Sequence, residues 1–207
     1  MTTILLIRHG ENEYVAKGRL AGRLTGVHLN EKGKTQAKIL ADYLSAAPIK
    51  AIYSSSMERC QETAQPLAKK LELEIIPEGG LMEIDFGAWQ NKTLKQLRRR
   101  KLWKVVQRTP SMAQFPDGES FSNAQNRIVS TLRTLSHQHN PREMIACFSH
   151  SDIIKLAVAF FIGTPLDLFQ RIVIQPASIS TLYIGAEGMR VFNVNHSVSS
   201  PFIKPKP

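Results

Sequence analysis

The chain has 207 residues, 43% of them hydrophobic and 21% charged, with a formal net charge of +10 and a pI near 9.8. That length carries a single domain with a sizeable core, and no run of about 18 uninterrupted apolar residues predicts a membrane span. Ile4–Ile7 is too short for the apolar core of a signal peptide, so a cytoplasmic location is expected.

In chain order, ILLIR at 4–8 reads as a buried strand that ends abruptly in Arg8, His9 and Gly10. Residues 29–44 read as a helix, because Ala37, Leu40, Ala41 and Leu44 recur at helical spacing and Asn30 can cap it. KAIYSS at 50–55 is a short strand running into serines, and 57–71 a second helix with Ala64, Leu67, Ala68 and Leu71 on one face. EIIP at 74–77 is a short strand, and 81–89 is irregular. The stretch 92–120 is polar, basic and weakly patterned. Helix 121–139 carries Ala124, Ile128, Leu132 and Leu135 on one face. EMIACFSH at 143–150 is the second near-continuous apolar strand, and an apolar helix at 151–163 follows at once, stopped by Gly163. RIVIQ, STLYIG and MRVFNVN read as three further strands, and the proline-rich tail SSPFIKPKP is expected to lie over the surface. Alternating strands and helices predict an α/β fold: a three-layer α/β/α sandwich around a mostly parallel sheet, the terminal strands being candidates for antiparallel pairing.

The charge points to anionic partners: nucleic acid, an acidic membrane surface or anionic small molecules. Its densest run, Arg98–Lys101, lies among Leu94, Leu97, Leu102, Val105 and Val106 and reads as the solvated face of a helix. Aromatic residues make up 7% and do not alternate with the basic ones, so no stacking platform for nucleic acid is expected. The two cysteines, Cys60 and Cys147, lack CxxC spacing and imply neither a zinc site nor a disulfide framework.

Two of the six histidines, His9 and His150, end buried strands, where open α/β sheets place their sites. His28 falls in a turn, His137 and His139 face different directions on one helix, and His196 lies near the tail. Arg8 precedes His9, and Arg59 lies one turn inside the helix after the second strand. Two arginines, two histidines and a helix N-terminus at Ser151 suit a multiply charged anion, for which the guanidinium fork offers parallel hydrogen bonds.

RHGEN at 8–12 resembles the RHGE(T/S) signature of the histidine phosphatase superfamily, the phosphoglycerate mutase-like fold. The resemblance continues in order through LTGVHLNEKGKTQAKILADYL, IYSSSMERCQETAQPLA, LMEIDFGAWQNKT, FPDGES and CFSHSDIIK. It implies one domain over 1–207, with a helical or looped insert at about 92–120 covering the site. It also implies that His9 is the phosphoryl-accepting nucleophile, that Arg8, Arg59 and His150 bind phosphate oxygens, and that Glu83 is the general acid and then the base. Asn12, Arg19, Gly22 and Ser151 join Arg8, Arg59 and His150 as expected phosphate or substrate contacts. No cofactor or metal is expected, because the arginines neutralise the charge. The nucleophile must be neutral, which adjacent arginines favour, and a hydrogen bond from its other ring nitrogen to backbone near Gly10 would fix its tautomer. Gly10 is expected to let the chain turn sharply past the ligand. Glu83 must begin protonated, so burial or the phosphate charge should raise its pKa.

Taken alone, Arg59 reads equally as a surface partner of Glu62, Glu83 as a solvated loop residue, and Glu11 as a local capping or ion-pair residue. Departures from the family pattern are Asn12 after RHGE, Val15 where many members carry a phosphate-touching Asn, Ser151-Asp152 after the second histidine, and Gln90-Asn91 for Glu-Gly. Ser151 is expected to cap its helix. The modest length favours a phosphatase over a phosphoglycerate mutase-type phosphomutase. A non-catalytic phosphate- or nucleic-acid-binding protein is the third reading, and keeping both a nucleophile and an acid argues against it. Basic residues at Lys17, Arg19, Arg23 and in the insert lead one to expect a small phosphorylated substrate with more than one negative group. A homodimer is left open.

Overall fold

A computed structural model describes residues 1–186 and 188–198. The elements in order are β1 (Thr2–Arg8), α1 (Glu13–Ala16), α2 (Glu31–Leu44), β2 (Ile49–Ser54), α3 (Glu58–Leu71), β3 (Ile75–Pro77), α4 (Leu94–Leu97), α5 (Lys101–Arg108), α6 (Phe121–Gln138), β4 (Met144–Ser149), α7 (Ser151–Phe161), β5 (Ile179–Gly185) and β6 (Gly188–His196). Among the described residues the strands form one sheet in the order β3-β2-β4-β1-β5-β6. β3, β2, β4 and β1 run parallel, and β5 and β6 are antiparallel.

The apolar runs in β1 and β4 follow from burial on both faces. Leu5 and Ile7 of β1, with Ile52, Ala146 and Phe148, meet Leu40, Ala41 and Leu44 of α2 and Ala64 and Leu67 of α3. Ile4 and Leu6 point the other way, with Ile145 and Cys147, toward Ala124, Ile128 and Leu132 of α6 and the apolar residues of α7. This is the expected three-layer α/β/α sandwich.

Several boundaries match the sequence reading. Asn30 accepts from the Gly33 N–H and caps α2, and Gly163, at φ +73°, ends the turn after α7. RIVIQ does not form a strand. A 3₁₀ turn ends at Arg171, and the chain crosses the C-terminal end of β1 irregularly, with Ala177 at φ +55° donating its N–H to the Arg8 carbonyl. Alternation alone cannot distinguish such a connector, in which only Ile174 is buried, from a strand. Ser151 does not cap its helix either: His150 occupies the cap position in extended conformation, without a side-chain cap, and Ser151 is the first helical residue. The basic run falls at the break between α4 and α5 rather than within one helix, with Arg98, Arg99 and Arg100 exposed to solvent. The tail from residue 199 lies outside the described residues.

Gly10 serves packing rather than a turn. A Cβ on Gly10 would come within 2.7 Å of the Gly33 carbonyl oxygen, and one on Gly33 would overlap the Glu11 carbonyl oxygen. The pair lets the loop after β1 lie directly on the first turn of α2. Helix propensity alone would favour Gly33→Ala by about 1 kcal/mol. The backbone overlap outweighs this, and we expect that variant to lose about 1–3 kcal/mol, read as a lower midpoint in urea.

Candidate active site

Parallel pairing brings the two strand-end histidines together. Arg8 stands opposite Ser149 in the β1–β4 register, and the His9 N–H donates to the Ser149 carbonyl at 3.0 Å. The two rings follow, centroids 5.3 Å apart and steeply inclined at 63°. Both side chains are buried.

His9 Nδ1 lies 2.7 Å from the Gly10 carbonyl, which can only accept, so Nδ1 carries the proton and Nε2 keeps its lone pair. Burial first, and then the charges of Arg8 and Arg59, hold the imidazole well below its usual pKa. It is therefore neutral at physiological pH. His150 is held low by burial and by Arg59 in the same way. Arg59 Nη2 donates to His150 Nδ1 at 3.2 Å, which leaves Nε2–H to meet Ser55 Oγ at 2.9 Å.

Arg59 is fully buried and donates to the Gly22 carbonyl at 2.7 Å. It is not the partner of Glu62, which accepts from the Leu29 N–H and pairs with His28. Arg8 is half-buried and braced by the Ile174 carbonyl at 2.7 Å, a contact supplied by the irregular connector. Asn12 is buried, and its Oδ1 accepts from the Val15 N–H and caps α1. Among the described residues, Arg8 Nε, Asn12 Nδ2 and Arg59 Nη1 are buried donors with no partner in the protein. Buried donors rarely go unpaired. All three residues line one cavity of about 150 Å³, together with His9, Glu83 and Ser151. That cavity is built to receive several oxygen acceptors at once.

Glu83 is mostly buried, its side chain 13% exposed, with Oε2 3.8 Å from His150 Nδ1. Burial, and next the charge of Asp152, push its pKa up to about 7. The solvated alternative for Glu83 is thus excluded. Asp152, which departs from the family pattern, helps the neighbouring carboxyl keep its proton. Arg23 donates to the Glu83 carbonyl at 2.8 Å. Glu119 Oε1 in turn accepts from Arg23 Nη2, Arg127 Nη2 and the Asp85 N–H at 2.8–2.9 Å. Arg127 also donates to the Gly80 and Met82 carbonyls. FPDGES therefore positions the segment that carries Glu83. We expect Glu119→Gln to cost about 2 kcal/mol or more, seen in chemical denaturation.

The expected outer contacts divide. Gly22 lines the cavity at φ +56°, its carbonyl already taken by Arg59. Arg19 also lines it, but its guanidinium is tied to Asn91 O and Oδ1 and lies over the Tyr14 ring at 5.3 Å. Asn91 occupies a left-handed position at φ +64°, which Asn tolerates better than most residues. Gln90 Oε1 accepts from the Arg23 N–H, so the Gln90-Asn91 departure holds the 19–23 loop. Lys17 is exposed and paired with Glu13, and Arg23 is committed to Glu119 and Glu83. Glu11 is the ion-pair residue of its plainer reading, bonded to Lys32 and Asn30. His139 bonds Tyr53 and Glu143, and His196 meets Tyr43.

Sequence reasoning missed Ser55, Cys60 and Thr63. Thr63 Oγ1 accepts from the Gly10 N–H and donates to the Arg59 carbonyl, linking the loop after β1 to the first turn of α3. Cys60 Sγ lies 3.5 Å from His150 Nε2, and burial pushes its thiol up to about 12, so it packs against that histidine as a neutral group. The only signal for these residues was their membership in the SSSMERCQET run. Among the described residues no group of three or more His, Cys, Asp or Glu side chains could hold a metal ion, and no helix is long and apolar enough to cross a membrane.

A neutral histidine, unpaired buried donors from two arginines and an asparagine, and a carboxyl pushed up to about 7 meet at the end of a parallel sheet, an arrangement suited to phosphoryl transfer. Residues 4–197 match the sequence model of the histidine phosphatase superfamily (branch 1). The chain is 30% identical over 186 residues to phosphoserine phosphatase 1 of Hydrogenobacter thermophilus, covering 89% of this chain and 87% of the relative. It is 28% identical over 163 residues to a 2,3-bisphosphoglycerate-dependent phosphoglycerate mutase of Thermoplasma acidophilum, covering 78% and 77%. The structure of YhfR from Bacillus stearothermophilus superposes with a TM-score of 0.88 at 27% identity, over 96% of this chain and 98% of that one. The chain belongs to the histidine phosphatase superfamily, branch 1.

Proposed function

We propose that the protein is a phosphatase that hydrolyses phosphate monoesters through a phosphohistidine at His9. The observation that carries this reading is the set of three unpaired buried donors, from Arg8, Asn12 and Arg59, in one cavity with a neutral His9. In the first step His9 Nε2 attacks phosphorus and the P–O ester bond breaks. The leaving oxygen takes the proton of Glu83. Arg8, Arg59 and the first turn of α7 stabilise the charge spread over the three phosphoryl oxygens, the main requirement of such a transition state. In the second step the Glu83 carboxylate accepts a proton from water. The water oxygen attacks phosphorus, the N–P bond breaks, and neutral His9 and phosphate are released.

Asn12 Nδ2 supports a further part of this reading. Val15 offers no side-chain donor, and the nearby unpaired Asn12 amide supplies one to the same cavity. A cytoplasmic location belongs to the proposal, supported by two cysteines that are both buried and unpaired. A phosphate-release screen over a metabolite panel, with and without EDTA, tests the function. Appearance of an isomeric monophosphate instead of phosphate would favour the phosphomutase reading.

A further inference from the structure

A second cavity, of about 260 Å³, lies beside the phosphate cavity, and Leu20, Phe86 and Asp152 belong to the walls of both. Its other walls come mostly from the insert and are mainly apolar, with Gln107, Gln170 and Lys155 as the polar members. Leu94 and Leu97 of α4, Trp103 and Val106 of α5, and Phe115 line it together with Trp89, which packs directly on Trp103 and Phe115. The indoles of Trp89 and Trp103 are stacked, 6.2 Å apart and inclined by 18°. Among the described residues the one cation in the wall is Lys155, already paired with Asp152 at 3.1 Å. Arg98, Arg99 and Arg100, which made the insert look like a reader of extra anionic groups, are exposed and take no part in the wall. Apolar walls beside a small, densely polar subsite are the composition of a pocket for an organic ligand.

We propose that this cavity receives the alcohol portion of the substrate and selects a hydrophobic one, alkyl or aryl, carrying a single phosphate. The proposal deepens the phosphatase reading and rests on it for the orientation of the ester. It replaces the multiply anionic substrate expected from charge alone. A second anion placed here would lose its hydration against tryptophan, phenylalanine and leucine side chains and would find Lys155 already engaged, at a cost that a methylene chain avoids.

Binding of n-alkylphosphonates, ethyl through octyl, tests this without turnover. Trp89 and Trp103 are the chain's two tryptophans, so intrinsic emission reports occupancy directly. The dissociation constant is expected to fall roughly fourfold per methylene until the cavity is full, with a change in emission at each step. Trp103→Ala should flatten that series. Leu94→Ser, at a position 37% exposed on the rim, should flatten it in the same direction if the tryptophan variant does not fold. Affinity independent of chain length, an unchanged slope in the folded variants, or tighter binding of phosphonocarboxylates than of hexylphosphonate would overturn the subsite. A flat series in a protein that still forms phosphohistidine overturns the subsite alone. A steep series without phosphohistidine overturns the phosphatase reading alone.

Discussion

The His9→Ala variant is expected to lose phosphatase activity by a factor on the order of 10⁴ or more, while folding as the parent does. Neither His150 nor Cys60, the nucleophilic side chains beside it that lie behind the cavity wall, can take its place. His150 lies 5.3 Å away, but its Nδ1 receives Arg59 and its Nε2 meets Ser55, so neither nitrogen offers a free lone pair to phosphorus. The Cys60 thiol is buried and pushed up to about 12, so it is not a thiolate. Rapid quenching of the parent enzyme with labelled substrate should trap a phosphoenzyme that is labile to acid and stable to alkali, and the variant should trap none. Full activity in the variant would sink the mechanism. Loss of the parent's activity in EDTA would require a metal that the proposal does not include.

The second large effect is the pH dependence set by Glu83. Its carboxyl must be protonated to deliver a proton to the leaving oxygen, and its pKa is pushed up to about 7 by burial and by Asp152. Formation of the phosphoenzyme should therefore be maximal below that value and fall about tenfold per pH unit above it. His9 adds no acidic limb near neutrality, because burial and two arginines hold it well below its usual pKa. Glu83→Gln should lower kcat/KM by about 10²–10⁴-fold and abolish the alkaline limb. Asp152→Asn should shift that limb toward lower pH, because removing the negative charge makes ionisation of Glu83 easier. An alkaline limb that persists in Glu83→Gln would assign the proton to another group. Esters with very good leaving groups should lose least, since their oxygen needs the proton least.

Much of this was legible in the chain because it is written in local pattern. The two apolar strands, the caps and the helix faces follow from burial periodicity, Arg8, His9 and His150 sit at strand ends, and Arg59 sits in the first turn of α3, whereas Glu83, in an irregular segment, was marked only by the family resemblance. The misplaced features each depend on a neighbour distant in sequence. RIVIQ has the composition of a strand, yet its Ile174 carbonyl accepts from both Arg8 and Ser151, and the segment joins no sheet. Gly10 looked like a turn residue, but its missing side chain is required by Gly33 of α2. Arg23 looked like a substrate contact, and it is held by Glu119 nearly a hundred residues away.

The same distinction separates the chemistry from the specificity. The sequence alone determined which residues are candidates to hold and transfer a phosphoryl group: Arg8, His9 and His150 because a strand end places its next side chain at the mouth of the sheet, Arg59 and Glu83 through the resemblance of their segments to the family. What that group is attached to was decided only by the tertiary structure. Net charge sums every lysine and arginine alike. Folding turns Arg98, Arg99 and Arg100 to water, engages Arg19, Arg23 and Lys155 in local contacts, and brings Trp89, Trp103 and Phe115 to the wall beside the phosphate cavity. Apart from the Lys155–Asp152 pair within α7, those contacts join segments far apart in the chain, and no short pattern records them.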